Sequence, residues 1–328
     1  MTEKNVVQTI HDTLWDAMKS DDRVLVMGED VGARGGVFRA TAGFLDEFGE
    51  SRVIDTPLAE SSIVGVAIGM AMHGLLPVAE IQFADFIHPA FDQLVSEAAR
   101  IRYRTAGDWS CPMVVRAPYG GGVHGALYHS QSIEAFYGHV PGLKVVLPST
   151  PYDVKGMLLA AIKDPDPVMF LEHKKTYRLI KGEVPDEPYE VPIGKADVKR
   201  EGADLSVIAY GLMLHHALEA ANRLQEEEGF SAEVVDVRTI APLDKQTILD
   251  SVKKTGKALV VYEDNRTYGA GAEISATIAE ELMFDLDGPV VRIGGPDIPA
   301  MPFSTPLEHF YMPDVEKIYE KMRELAKF

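Results

Sequence analysis

The chain has 328 residues, enough for two domains at roughly 100–200 residues each. Its composition, 46% hydrophobic and 25% charged, excludes a disordered chain. A formal net charge of −18 argues against a nucleic-acid partner, because a phosphate backbone needs clustered Lys and Arg. The single cysteine, Cys111, excludes an intrachain disulfide framework and multi-cysteine metal sites. Met1–Ile10 lacks the apolar run of a secretory signal. The longest nearly apolar stretch, Ile63–Leu76, is too short to span a bilayer.

Short β-branched runs alternate with longer helical patterns. In the first half the predicted strands are Val24–Met27, Arg52–Ile54, Pro77–Ile81, Met113–Ala117, Lys144–Leu147 and Val168–Leu171. Helices are predicted over Val6–Lys19, Leu58–Gly74, His88–Arg104 and Tyr152–Lys163. Such alternation implies parallel sheets covered by helices. Near Lys181–Lys195 the pattern breaks, with Pro185, Pro188 and Pro192 among acidic residues and Gly, as in a linker. A second series follows, with strands at Leu205–Ala209, Glu233–Val237, Ala258–Tyr262 and Val290–Ile293. Its helices are Met213–Glu228, Lys245–Lys254, Glu273–Met283 and Asp314–Ala326. The expected division is therefore 1–180, a linker at 181–195, and 196–328.

Three segments carry candidate chemistry. Gly120, Gly122 and Gly125 satisfy G-x-G-x-x-G after a strand, but no acidic residue follows about 20 positions on, so a nicotinamide-dinucleotide site is not supported. The same glycines precede His124 and His129, which could act as acids or bases or simply belong to a hydrogen-bonded loop. Zinc lacks a third ligand there. Asp55-Thr56-Pro57 reads as a helix start, placing Glu60 in the first turn of a nearly all-apolar helix that should be buried. Glu60 is then either a carboxylate favoured by the helix dipole or a buried proton-transfer group. Glu80-Ile-Gln82-Phe83-Ala-Asp85-Phe86 follows a strand, where Gln82 could position a ligand and Phe86 could stack on a ring; strand-end packing accounts for it equally well.

Taken in order, Gly28-Glu-Asp-Val, Asp55-Thr-Pro-Leu-Ala-Glu60, Glu80-Ile-Gln-Phe-Ala-Asp-Phe86, His124-Gly-Ala-Leu-Tyr-His-Ser-Gln131 and Pro141-Gly-Leu-Lys-Val-Val resemble one family. It is that of the beta subunits of thiamine-diphosphate-dependent 2-oxoacid dehydrogenases. The resemblance covers essentially the whole chain, including Pro296-Asp-Ile-Pro299, and is strongest to the branched-chain members. Pyruvate and acetoin relatives share the scaffold and are the alternative.

The resemblance implies a transketolase-like α/β fold of two domains, each with a parallel or mixed sheet: a pyrimidine-binding domain, then a C-terminal one. It implies that Glu60 activates the cofactor, sharing a proton with the pyrimidine ring nitrogen. Leu58, Gln82 and Phe86 match residues of the same pocket. Branched-chain relatives can carry Tyr where Phe86 stands, so a hydroxyl contact is lost here. His129 matches a histidine that assists acyl transfer to a lipoyl arm. No Gly-Asp-Gly occurs, so the diphosphate and magnesium are expected on an alpha subunit, in an assembly of two alpha and two beta chains. Further implied partners are a lipoylated acyltransferase and the 2-oxoacid substrate. A structural potassium ion in some relatives would map to Met113, Val114, Ala161, Asp164 and Asp166. The expected compartment is the cytoplasm, or the mitochondrial matrix if a transit peptide has been removed.

Overall fold

A computed structural model describes residues 1–328. The chain divides into two compact units. The first comprises Met1–Tyr119 and Phe136–Ile193, the second Gly120–Ala135 and Gly194–Phe328.

The first unit opens with strand β1 (Thr2–Asn5) and a helix over Val6–Ser20. Asn5 starts that helix through a capping box: its side chain accepts from Gln8 N at 2.9 Å, and Gln8 Oε1 accepts from Asn5 N at 3.1 Å. Ile10, Leu14, Ala17 and Met18 form its buried stripe. Then come β2 (Val24–Gly28), β3 (Val53–Asp55), β4 (Leu76–Glu80), β5 (Val114–Tyr119), β6 (Lys144–Val146) and β7 (Val168–His173). They lie side by side in the order β6-β7-β5-β4-β2-β3, every pair parallel. A parallel strand covered on both faces must be apolar throughout, and β2, Val-Leu-Val-Met-Gly, is buried at every position. The core gathers the helix residues named above with Val24, Val26, Val78, Val114, Val146 and Phe170.

In the second unit β9 (Asp197–Arg200), β10 (Leu205–Ala209), β11 (Ala232–Asp236), β13 (Ala258–Asn265) and β14 (Val291–Gly295) form a mixed sheet. Its order is β14-β13-β10-β11-β9, with only β9 antiparallel; β12 is the short strand Thr239–Ala241. The helices Leu212–Glu228 and Val315–Ala326 pack together over a core of Leu205, Val207, Val234, Leu259, Ile318 and Met322.

Three segments differ from the expectations. Lys181–Val184 is a strand, β8, paired antiparallel with β1, so the proline-rich stretch begins inside the first unit. The run His88–Arg104 is broken into 3-10 turns, a π turn over Gln93–Glu97 and one α turn. Pro89 has no N–H to give, and the run is held across the Glu60–Met72 helix, where Ser61 Oγ donates to the Pro89 carbonyl at 2.6 Å. That helix is not buried all round: Ile63, Val64, Ala67, Ile68 and Ala71 face the core, while Val66 is 49% exposed in the chain.

Candidate active site

The carboxyl ends of β2, β3 and β4 meet at Gly28, which registers with Asp55 on one side and Glu80 on the other. Such ends are where parallel α/β sheets form binding crevices. Gly28 has φ +152°, and a Cβ there would stand 2.4 Å from the Glu80 carbonyl oxygen, so only glycine lets the strands close. Thr56 N donates to Gly28 O at 3.0 Å. Asp55 Oδ1 accepts from Gly32 N at 2.6 Å, tying the Glu29–Arg34 loop to the end of β3. In that loop Asp30 Oδ2 accepts from Gln82 Nε2 and from Arg34 Nη1, each at 3.2 Å.

Glu60 is the first residue of its helix, and Ala59 before it makes no side-chain cap. Its half-buried carboxylate thus stands beside unpaired helix N–H groups, where negative charge is favoured. It makes no hydrogen bond or ion pair within the chain. Its electrostatic neighbour is Glu29, whose carboxyl is raised by burial first, then by Asp30 and Glu60, against Arg34. Thr56 Oγ1 is buried without a partner. Phe86 is half-buried, edge-on to Phe83 at 5.6 Å between centroids, and Leu58 is 72% exposed. The Thr56 hydroxyl and the Glu60 carboxylate are thus polar groups of this segment left without a partner in the chain.

Leu58, Glu60, Gln82 and Phe86 therefore stand on the first unit. His129 stands on the Gly120–Ala135 segment of the second. Its neighbour His124 is paired through Nδ1 with Glu308 Oε2 at 2.7 Å. The potassium positions gather around one turn of the first unit: Asp164 N donates to Ala161 O at 3.2 Å and Val168 N to Met113 O at 2.9 Å. Lys144 Nζ meets Asp164 at 2.5 and 2.6 Å, and Arg102 Nε meets Asp166 at 2.6 Å. The two aspartate side chains there are therefore engaged by Lys144 and Arg102.

Sequence reasoning did not single out several ionisable groups. Glu29 and Asp30 sit inside a quoted motif, beside Gly28, and that adjacency was the available signal. Arg116, Glu172, Glu134, Glu263 and Glu308 carry no local signal and are collected by the fold alone.

Two family models match the chain. Residues 3–180 match the transketolase pyrimidine binding domain and residues 194–318 the transketolase C-terminal domain. Among solved structures, a chain described as "Split gene transketolase, inactive beta4 tetramer" superposes with a TM-score of 0.79 over 98% of both chains at 23% identity, a likeness of fold. The fold is thus transketolase-like, with two α/β domains. The 2-oxoisovalerate dehydrogenase subunit beta of Bacillus subtilis (strain 168) is 59% identical over 328 residues, 100% of each chain. The pyruvate dehydrogenase E1 component subunit beta of the same organism is 49% identical, again over 100% of each. The chain belongs to the beta subunits of the thiamine-diphosphate-dependent 2-oxoacid dehydrogenases and is more similar to the branched-chain relative than to the pyruvate one.

Proposed function

We propose that the chain decarboxylates branched 2-oxoacids with thiamine diphosphate and passes the acyl group to a lipoyl arm, acting only together with an alpha subunit. The observation that carries this reading is the Glu60 carboxylate, unpartnered at a helix start beside a second carboxyl. Bound thiamine diphosphate would supply the electron sink for decarboxylation. Glu60 would share a proton between its carboxyl and a ring nitrogen of the pyrimidine. Glu29 stands close enough that Glu60 helps to raise its carboxyl, so a second acidic group lies beside this one. Phe86 offers a ring face, Leu58 an apolar contact, and Gln82 an amide anchored on Asp30. His129 assists acyl transfer.

The diphosphate and magnesium are assigned to the alpha subunit, in an assembly of two alpha and two beta chains that meets a lipoylated acyltransferase. Exposed apolar side chains on the first unit, Leu58, Val66, Phe91 and Phe136, support a partner on that unit. Residues 1–180 and 196–328 serve as the two functional domains. Potassium, held by the carbonyls near Met113, Val114 and Ala161, belongs to the same reading; a higher melting temperature in potassium than in sodium buffer supports it, and equal values remove it. No helix is long and apolar enough to cross a membrane, and the proposed setting is the cytoplasm or mitochondrial matrix.

The test is carbon dioxide release with an artificial electron acceptor, thiamine diphosphate and magnesium, on branched 2-oxoacids against pyruvate, with and without the alpha subunit. Activity only with the partner, and highest on branched substrates, is expected. Highest activity on pyruvate moves the substrate class, and activity of the chain alone contradicts the divided cofactor site.

A further inference from the structure

The Gly120–Ser132 loop carries exposed side chains at Val123, Leu127 and Tyr128, so little apolar packing holds it. It is held by carboxylates. Glu308, on the helix Thr305–Tyr311, is 1% exposed. Its Oε1 accepts from Gly122 N at 3.0 Å and from His124 N at 3.2 Å, and its Oε2 meets His124 Nδ1 at 2.7 Å. Glu263, 2% exposed at β13, accepts through Oε1 from Gly121 N at 2.6 Å and from Ser132 Oγ at 3.3 Å. A carboxylate buried to this degree is costly unless several donors satisfy it, and the loop backbone provides them.

The loop is also under tension. Gly120 N donates to Gln131 O at 3.0 Å, closing its ends. His124 and Ala126, neither of them glycine, are held at φ +56° and +53°. Non-glycine residues stay in that region only where their surroundings hold them. Between them, Gly125 packs on His129 itself: a Cβ there would lie 2.6 Å from the His129 carbonyl oxygen and 2.8 Å from its Cβ. A shift at Gly122–His124 is therefore passed to His129 through direct contact.

We infer that Glu308 is the positioning residue for His129, holding the backbone and Cβ from which the imidazole projects by clamping the Gly122–His124 backbone and the His124 ring. The inference rests on the acyl-transfer role proposed for His129. The experiment uses the assembled enzyme of alpha and beta subunits, with Glu308→Gln and His124→Asn. Three quantities are read: decarboxylation with an artificial acceptor, acyl transfer to a lipoylated domain, and amide hydrogen exchange over residues 120–132. Glu308→Gln is expected to lower the ratio of acyl transfer to decarboxylation about tenfold, the size of one lost charge-assisted bond. Amide exchange at Gly122 and His124 rises with it. His124→Asn, which alters one half-exposed side chain, shifts the same ratio by a smaller factor. An unchanged ratio in both variants, or an equal fall in both rates, overturns the inference. A wild-type assembly that transfers no acyl group defeats the functional reading instead, and unchanged loop exchange in Glu308→Gln would then defeat the clamp as well.

Discussion

Arg116 and Glu172 form a two-pronged ion pair inside the first unit, Nε donating to Oε1 at 2.7 Å and Nη2 to Oε2 at 3.0 Å. Both are buried, on neighbouring strands β5 and β7. Arg116 Nη1 also donates to Glu80 Oε2 at 2.6 Å, on β4, and Tyr177 OH donates to Glu172 Oε2 at 2.8 Å. One guanidinium thus joins three strands, just behind the Gly28 strand ends that form the candidate site. Burial pushes the Glu80 carboxyl upward, with Arg116 opposing it and Glu172 adding to it.

Removing the cation should be costly, because it strands two buried carboxyls. Arg116→Met is expected to lose about 3–5 kcal/mol of stability. Tyr177→Phe, which removes one neutral donor, should lose about 1 kcal/mol. Urea unfolding of the two variants checks this, and equal losses would contradict the account.

Glu60→Gln keeps the size of the side chain and removes its ionisable carboxyl. Carbon dioxide release by the assembled enzyme should fall by about 10²–10⁴-fold, the range for a lost acid–base group. Thermal unfolding should stay near wild type, since Glu60 bonds to nothing within the chain. A variant that retains full activity would remove Glu60 from the proton-sharing role.

Glu134 gives the second unit a pH dependence of its own. Burial first, then the neighbouring Asp264 and Glu263 carboxyls, raise it to about 8 from an ordinary 4.5, while the Tyr210 hydroxyl that donates to its Oε1 opposes the rise. Between those values the folded chain holds a proton that the unfolded chain has lost, so this group's contribution to stability is full at low pH and disappears as pH rises toward about 8. Glu134→Gln keeps an acceptor for Tyr210 and cannot ionise. It should match wild type near pH 4 and exceed it near pH 9, by roughly the range of a buried carboxyl freed from ionisation. Denaturant midpoints across that interval decide it; parallel curves for the two proteins would refute it.

Cys111 is buried, and desolvation raises its thiol to about 12, with Asp166 adding to the effect. The native chain should show no thiol reactive to a maleimide at neutral pH, and one after unfolding. Rapid labelling of the folded protein would show that the Cys111 end of β5 opens.

The alternation of strands and helices was legible in the sequence because it is a local property. A parallel strand covered on both faces has to be apolar along its length, and Leu205–Ala209 is the same five residues as predicted and as folded. The motifs that carry Leu58, Glu60, Gln82 and Phe86 are short segments that follow β3 and β4, and the ends of those strands were legible for a similar reason. The apolar run from Ile63 was ambiguous: a buried face and an exposed one are built here from the same residue types, so Val66 could not be told from Val64. Tertiary structure alone decided the rest. The Arg116 network joins residues 36 and 56 positions apart and depends on the register of three strands. The clamp on the His129 loop spans 184 residues between His124 and Glu308. A charge buried against backbone N–H groups leaves no pattern in composition or periodicity, because its partners are peptide groups that every residue carries.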